Sequence, residues 1–133
     1  MFNFYFFKSL SVALISMLSL DFIWLNYVGK RFYLEGIGKL LRLNSNGSID
    51  PNYYAALLVY GALIIGIFSF VIPLAHNSLE RFLYGALFGL LVYIIYDFTN
   101  LAIVNNWPLK ISIIDSLWGM ILCAITSFLT GLI

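Results

Sequence analysis

Charge is scarce in this chain: Lys and Arg together number 7, Asp and Glu 6, and the formal net charge is +1. With 10% charged and 62% hydrophobic residues, the chain lies well outside the soluble range of roughly 25% and 45–50%. Water would not keep such a sequence folded. So small a net charge, with the basic residues set beside apolar segments rather than in one patch, argues against a nucleic-acid partner. Cys123 is the only cysteine, so an intrachain disulfide and a multi-cysteine metal site are both excluded. His76 is the only histidine and falls in a short loop, where a satisfied or solvated side chain is the ordinary expectation. The sequence has no phosphate-cradling glycine loop, nucleophile elbow or His-rich metal motif, and no cofactor is expected.

Long apolar runs are what it does have. A bilayer core about 30 Å thick needs about 20 apolar residues in a helix, and the windows 4–27, 53–75, 82–104 and 111–132 meet that length. The fold class expected is all-α: an integral membrane four-helix bundle in one transmembrane domain over residues 1–133. The start of the chain is aromatic-rich rather than basic, so it reads as a retained first span and not a signal peptide, and no lipidation motif is read at either end. Ser48, Asp50 and Pro51 mark the start of the second span. Pro73 closes that span, and Asn105, Asn106 and Pro108 form the turn before the fourth. Trp107, Tyr27, Tyr53 and Tyr54 sit at span ends, as an aromatic belt does.

Between the first two spans, residues 30–43 place Leu34, Ile37, Leu40 and Leu41 at helical spacing against Lys30, Arg31, Lys39 and Arg42. That pattern suits an amphipathic helix lying in the membrane interface. The alternative is a loop with incidental leucines. Lys30, Arg31, Lys39, Arg42 and Lys110 fall on one side of the membrane and Lys8 and Arg81 on the other, a count that puts both termini outside the cytoplasm. The two hairpins also echo each other: Asp21, Phe22, Leu25 and Val28 match Asp97, Phe98, Leu101 and Val104 at identical spacing. A duplicated hairpin is one explanation and chance matching of apolar sequences the other.

The informative residues are carboxylates inside the spans. At 1.5 Å per residue, Asp21, Asp97 and Asp115 lie about 9, 10 and 6 Å inward from their span ends. Because helix direction alternates, all three come near one membrane face. A carboxylate in hydrocarbon costs about 3 kcal/mol on insertion scales, so the three are expected to point into the bundle and toward one another. Helical spacing adds Trp24 and Met17 to Asp21, Tyr93 and Asn100 to Asp97, and Ser112, Trp118 and Gly119 to Asp115. Gly85 and Gly89 let a neighbouring helix approach closely below them. Lys30, Arg31 and Lys110 stand at the same face. If none of them reaches down, repulsion and desolvation leave at least one aspartate protonated at neutral pH, the condition for a proton-coupled or cation-binding site. The plainer alternative is that the aspartates hydrogen-bond Tyr, Trp, Asn and Ser side chains and only fix helix register.

The runs Asp21-x-x-Trp24, Tyr96-Asp97-x-Thr99-Asn100-Leu101-Ala102, Trp107-Pro108 and Asp115-x-x-Trp118-Gly119 resemble the signature of a family of small bacterial membrane proteins of unknown function. The resemblance covers nearly the whole chain. Members of that family often carry threonine before the tyrosine, where this chain has Ile95. The resemblance implies a multi-pass protein of the bacterial inner membrane and brings no reaction with it.

The leading expectation is a protein that binds or transports a small solute, cation or proton through Asp21, Asp97 and Asp115. Tyr93, Tyr96, Thr99 and Asn100 complete the polar lining, and Trp24 and Trp118 form walls suited to stacking on an organic cation. The expected partners are the lipid bilayer and a small-molecule or cation ligand, and four spans leave room for a homodimer. Two alternatives stand beside this one: a membrane enzyme acting on a lipid or isoprenoid through an acid–base pair of aspartates, and a noncatalytic partner of a larger complex docked through the basic segment 30–43.

Overall fold

In the computed structural model, which describes residues 3–133, the chain folds into five α-helices, and the described residues form no sheet beyond one isolated bridge between Leu43 and Ile49. α1 spans Phe4–Ile23, α2 Lys30–Ile37, α3 Tyr53–Gly66, α4 Ser78–Ile103 and α5 Leu109–Thr130. Asparagine starts three of them. Asn3, Asn52 and Asn77 each accept a hydrogen bond from a first-turn backbone N–H, those of Phe6, Ala55 and Glu80. Glu80 reaches back to the His76 N–H at 2.8 Å and completes a reciprocal cap. Two helices end in a widened π turn, Trp24–Val28 after α1 and Ile67–Val71 after α3. Bonds from Gly29 N–H to the Trp24 carbonyl and from Ile72 N–H to the Ile67 carbonyl close them. With those turns included, Phe4–Val28, Tyr53–Val71, Ser78–Ile103 and Leu109–Thr130 are long and apolar enough to cross a membrane.

The borders differ from the expected ones where local hydrogen bonding wins. α3 begins at Tyr53 with Asn52 as its cap, in place of Ser48 or Asp50. α4 begins at Ser78, ahead of the expected residue 82, because Asn77 and Glu80 cap it there. The basic segment is helical only to Ile37. A 3-10 turn follows over Gly38–Leu40, and the Asn44 side chain then accepts from Asn46 and Ser48 N–H to fold the chain back.

α5 is the central helix, packed against α1, α2, α4 and the π turn that follows α3. Its partner α4 lies close because its glycines face backbone. A Cβ on Gly89 would collide with the Gly119 carbonyl oxygen, and one on Gly85 would lie 2.6 Å from the Cys123 carbonyl oxygen. The buried core of Met17, Leu63, Ile64, Ile67, Val71, Leu122 and Cys123 joins α1, α3 and α5 toward the end of the bundle away from the aspartates. α3 itself rests on α1 and meets α4 only near its end, where Gly66 lies under the Phe88 ring and the π turn follows. The two hairpins are therefore not alike: α4 and α5 pack along their length, whereas α1 lies mainly on α5, and the π turns occur only in the first pair.

Candidate functional site

Asp21, Asp97 and Asp115 lie at one end of the bundle, Asp97 and Asp115 each six residues from the helix end nearest them and so about 9 Å deep. Asp97 is fully buried, Asp21 nearly so at 8% exposure, and Asp115 half-buried. Each has a different set of partners. Asp21 is satisfied on both oxygens, by the Trp118 indole N–H at 2.9 Å and by the Tyr60 hydroxyl. Asp115 accepts from the Tyr33 hydroxyl, which in turn accepts from the Trp24 indole N–H at 2.8 Å. Asp97 receives only a long 3.5 Å contact from Ser116 on one oxygen, and its Oδ1 is buried with no donor. The carboxyl of Asp115 stands within hydrogen-bonding reach of Asp97. Two acceptors in that position need a proton between them.

Trp24 and Trp118 close the arrangement from above Asp21. Their rings stack on one another, 4.6 Å between centroids and 7° from parallel. Each indole serves an acceptor outside its own helix, Trp118 reaching Asp21 and Trp24 reaching Tyr33. The π turn that starts at Trp24 ends against Gly29, where a Cβ would sit 2.6 Å from the Trp24 ring. A side chain at Gly29 would displace the indole, so glycine is required there. The expected walls thus hold each other and are not free on both faces to sandwich an organic cation.

Of the other expected residues, Tyr93 covers Gly119, and Tyr96 packs edge-on against Trp107 and lies within hydrogen-bonding reach of Asn100. Thr99 is exposed on the outside of α4, two residues and about 200° from Asp97, so the structure does not bring it to the cluster. Ser112 fixes the depth at which α5 meets α4: its hydroxyl accepts from the Trp107 indole and donates to the Asp97 carbonyl, both at 3.1 Å. Two tyrosines were missing from the sequence reading. Tyr60 carried no signal in an apolar span. Tyr33 lay in a segment read for its basic and leucine faces, yet it is the buried residue of α2. Burial first, and the Asp115 charge second, hold the Tyr33 hydroxyl well above the usual tyrosine range.

The cations at this end do not enter. Arg31 pairs with Glu35 at 2.6 Å on the exposed face of α2, and the Lys110 ammonium lies 5.2 Å from the centre of the Phe32 ring. Among the described residues no three His, Cys, Asp or Glu side chains converge closely enough to hold a metal ion. The three carboxylates therefore form a pair, Asp97 with Asp115, and a neighbour, Asp21. A cavity of about 560 Å³ runs between α3 and α4 and reaches Asp115, Tyr93 and Tyr96.

No curated protein and no solved structure matches the chain. One family does: residues 6–132 match the family described as predicted membrane protein (DUF2177). That match takes in all the helices but for the first two residues of α1, and all three intramembrane aspartates, and on its extent the chain belongs to this family of membrane proteins of unknown function.

Proposed function

We propose that this membrane protein binds a proton or an organic cation at the Asp97–Asp115 pair and that this site carries its solute-binding or transport activity. One observation supports the reading above the rest: Asp97, buried without a donor on Oδ1, faces a second carboxyl group. Most buried polar atoms have a partner, as those of Asp21 do. Among the four described side-chain atoms that lack one, the others being Arg81 Nε, Thr126 Oγ1 and Ser127 Oγ, Asp97 Oδ1 alone belongs to a carboxyl group. Here an acceptor is left for something that arrives. Asp21 stands at the same end of the bundle, with its own oxygens already bonded to Trp118 and Tyr60.

Within this proposal the chain is a single transmembrane domain in the bacterial inner membrane, with both termini outside the cytoplasm, functioning as a homodimer. Its outer apolar side chains, such as Leu57, Leu58 and Ile65, contact the lipid bilayer. The test is infrared spectroscopy of the full chain in lipid, combined with flux in proteoliposomes. A protonated-carboxyl C=O band should vanish in both Asp97→Asn and Asp115→Asn, and proton or cation flux should vanish with it. A chain with no such band, and with neither flux nor binding that depends on Asp97, would end the reading. A second reading, an enzyme that modifies a lipid, is favoured by the apolar cavity that reaches Asp115. It requires a deletion strain to lose or accumulate a discrete lipid.

A further inference from the structure

The Asp97–Asp115 pair has two sides from which a ligand could come, and they differ in charge and in cover. On the aqueous side α2 lies against α5, Tyr33 bonds to Asp115, and Lys30 and Lys110 stand at that end of the bundle beside the Arg31–Glu35 ion pair. A free cation approaching from water meets positive charge and a helix in its way. On the bilayer side no helix covers the pair, because α3 and α4 meet only at the far end of α3, where Gly66 lies under the Phe88 ring and the π turn Ile67–Val71 follows, and they separate toward the aspartates. The gap is the 560 Å³ cavity, walled by Val59, Ala62, Leu63, Phe88 and Val92, with Tyr93, Tyr96 and Asp115 at its polar end. Its volume lies within the range of about 300–1,000 Å³ usual for small-molecule sites.

From this geometry we propose that the α3–α4 groove admits a single-chain lipid bearing a protonated amine, its alkyl chain along the apolar walls and its ammonium on Asp115. The inference rests on the reading that the aspartate pair accepts a proton or cation. The chemistry of the polar end selects the head. An anionic head would meet carboxylates with no cation among them, and an alcohol would gain a hydrogen bond without neutralising charge. A metal ion lacks the converging ligands it needs. An ammonium brings three donors to a pocket of acceptors, and the flanking Tyr93 and Tyr96 rings favour positive charge. The chain selects the route, because Val59 and Val92 are exposed to the bilayer.

The experiment uses the full chain in phosphatidylcholine nanodiscs, with dodecylamine, dodecanol and methylamine as probes and native mass spectrometry and the infrared carboxyl band as readouts. Dodecylamine should bind and shift the band, with methylamine and dodecanol weaker by about tenfold or more. Ala62→Trp fills the groove from a lipid-exposed position and should weaken dodecylamine binding by about tenfold while leaving the carboxyl band of the amine-free protein in place. Val92→Trp, from the opposite wall, should do the same, so that misfolding of one variant does not decide the matter. Dodecylamine binding that ignores both tryptophans, or methylamine binding equally well, overturns the groove proposal and leaves the aspartate pair standing. So does a dimer that both tryptophans break, since a second copy would then be the occupant. A missing carboxyl band in the unaltered protein overturns the pair itself, and the amine site falls with it.

Discussion

Where α4 meets α5, glycine faces backbone and no side chain could be added; where α4 faces α3, side chains of both helices line an open gap. One helix thus carries two unlike seams. In a bilayer, apolar surface gains little by meeting other apolar surface, so a seam holds only if backbones approach closely or polar groups bond across it. The α4–α5 seam has both, through Gly85 and Gly89 on one helix and Ser112 and Ser116 on the other. The α3–α4 seam has neither. Gly61 of α3 meets nothing that an added Cβ would touch, so the small residue there does not draw a neighbour in. Stability is concentrated on one side of α4, and the other side is left to open onto a carboxylate.

The comparison breaks most sharply at Gly89. Gly89→Leu pushes a side chain into the Gly119 carbonyl and the Cys123 side chain and should cost on the order of 3 kcal/mol or more by overpacking. The effect is read as a fall in folded yield and melting temperature in mild detergent. A variant that melts like the parent would mean the seam is not in contact. Next in size is Trp118→Phe, which keeps a flat ring against Trp24 and removes the N–H bonded to Asp21. Leaving a buried acceptor without its donor costs about 2 kcal/mol. Loss of the bond should lower the melting temperature and change the near-ultraviolet circular dichroism of the stacked indoles. Stability unaltered by this change would show that Asp21 does not depend on its indole donor.

The polar half of this picture was legible in part. Four apolar runs and the depth of Asp21, Asp97 and Asp115 follow from length and periodicity, because a helix in lipid satisfies its own backbone and leaves little freedom in where its residues lie. Trp24 and Trp118 were legible as neighbours of the aspartates, since residues three apart share a helix face. Their bonds were not legible, because Trp118 crosses to Asp21 on another helix and Trp24 serves the Tyr33 hydroxyl. Thr99 was misplaced for a related reason: a motif groups residues along the chain, while a helix puts a residue two positions on toward the opposite face. Tyr33 and Tyr60 were missed because a tyrosine among apolar residues looks the same whether its hydroxyl meets lipid headgroups or a carboxylate. The splaying of α3 from α4 was not legible either, since absent contacts leave no pattern in a sequence.

Tyr33→Phe takes the comparison to the cover of the site, with a smaller expected effect. It leaves the Trp24 indole without an acceptor and Asp115 without a donor, a loss of about 1 kcal/mol. The effect should depend on pH, with a definite sign. The Tyr33 hydroxyl is held above its ordinary range in the folded chain, so its contribution is fully present below the unfolded tyrosine value of about 10. As pH rises past that value the unfolded chain releases the proton while the folded chain keeps it, and stability falls. Melting curves of parent and variant should therefore converge as the solution becomes alkaline. Curves that stay equally far apart would place the Tyr33 hydroxyl in an environment like that of the unfolded chain.

The smallest effect is expected at Val59, and it tests the open seam directly. Val59 is 55% exposed and lies on the α3 wall of the cavity. Val59→Ala removes two methyl groups that pack against no neighbouring helix and exchanges contact with lipid for contact with lipid. The cost should stay within about 0.5 kcal/mol, and the melting temperature should match that of the parent. The same truncation within a packed core would leave an unfilled space and cost several times as much. A loss near 2 kcal/mol at Val59 would therefore mean that α3 and α4 close on each other in the membrane, or that a second copy fills the gap. Dilution separates the two: a loss that grows as the protein is diluted identifies the second copy, and one that does not identifies closure. In either case the route from the bilayer to Asp115 would be shut.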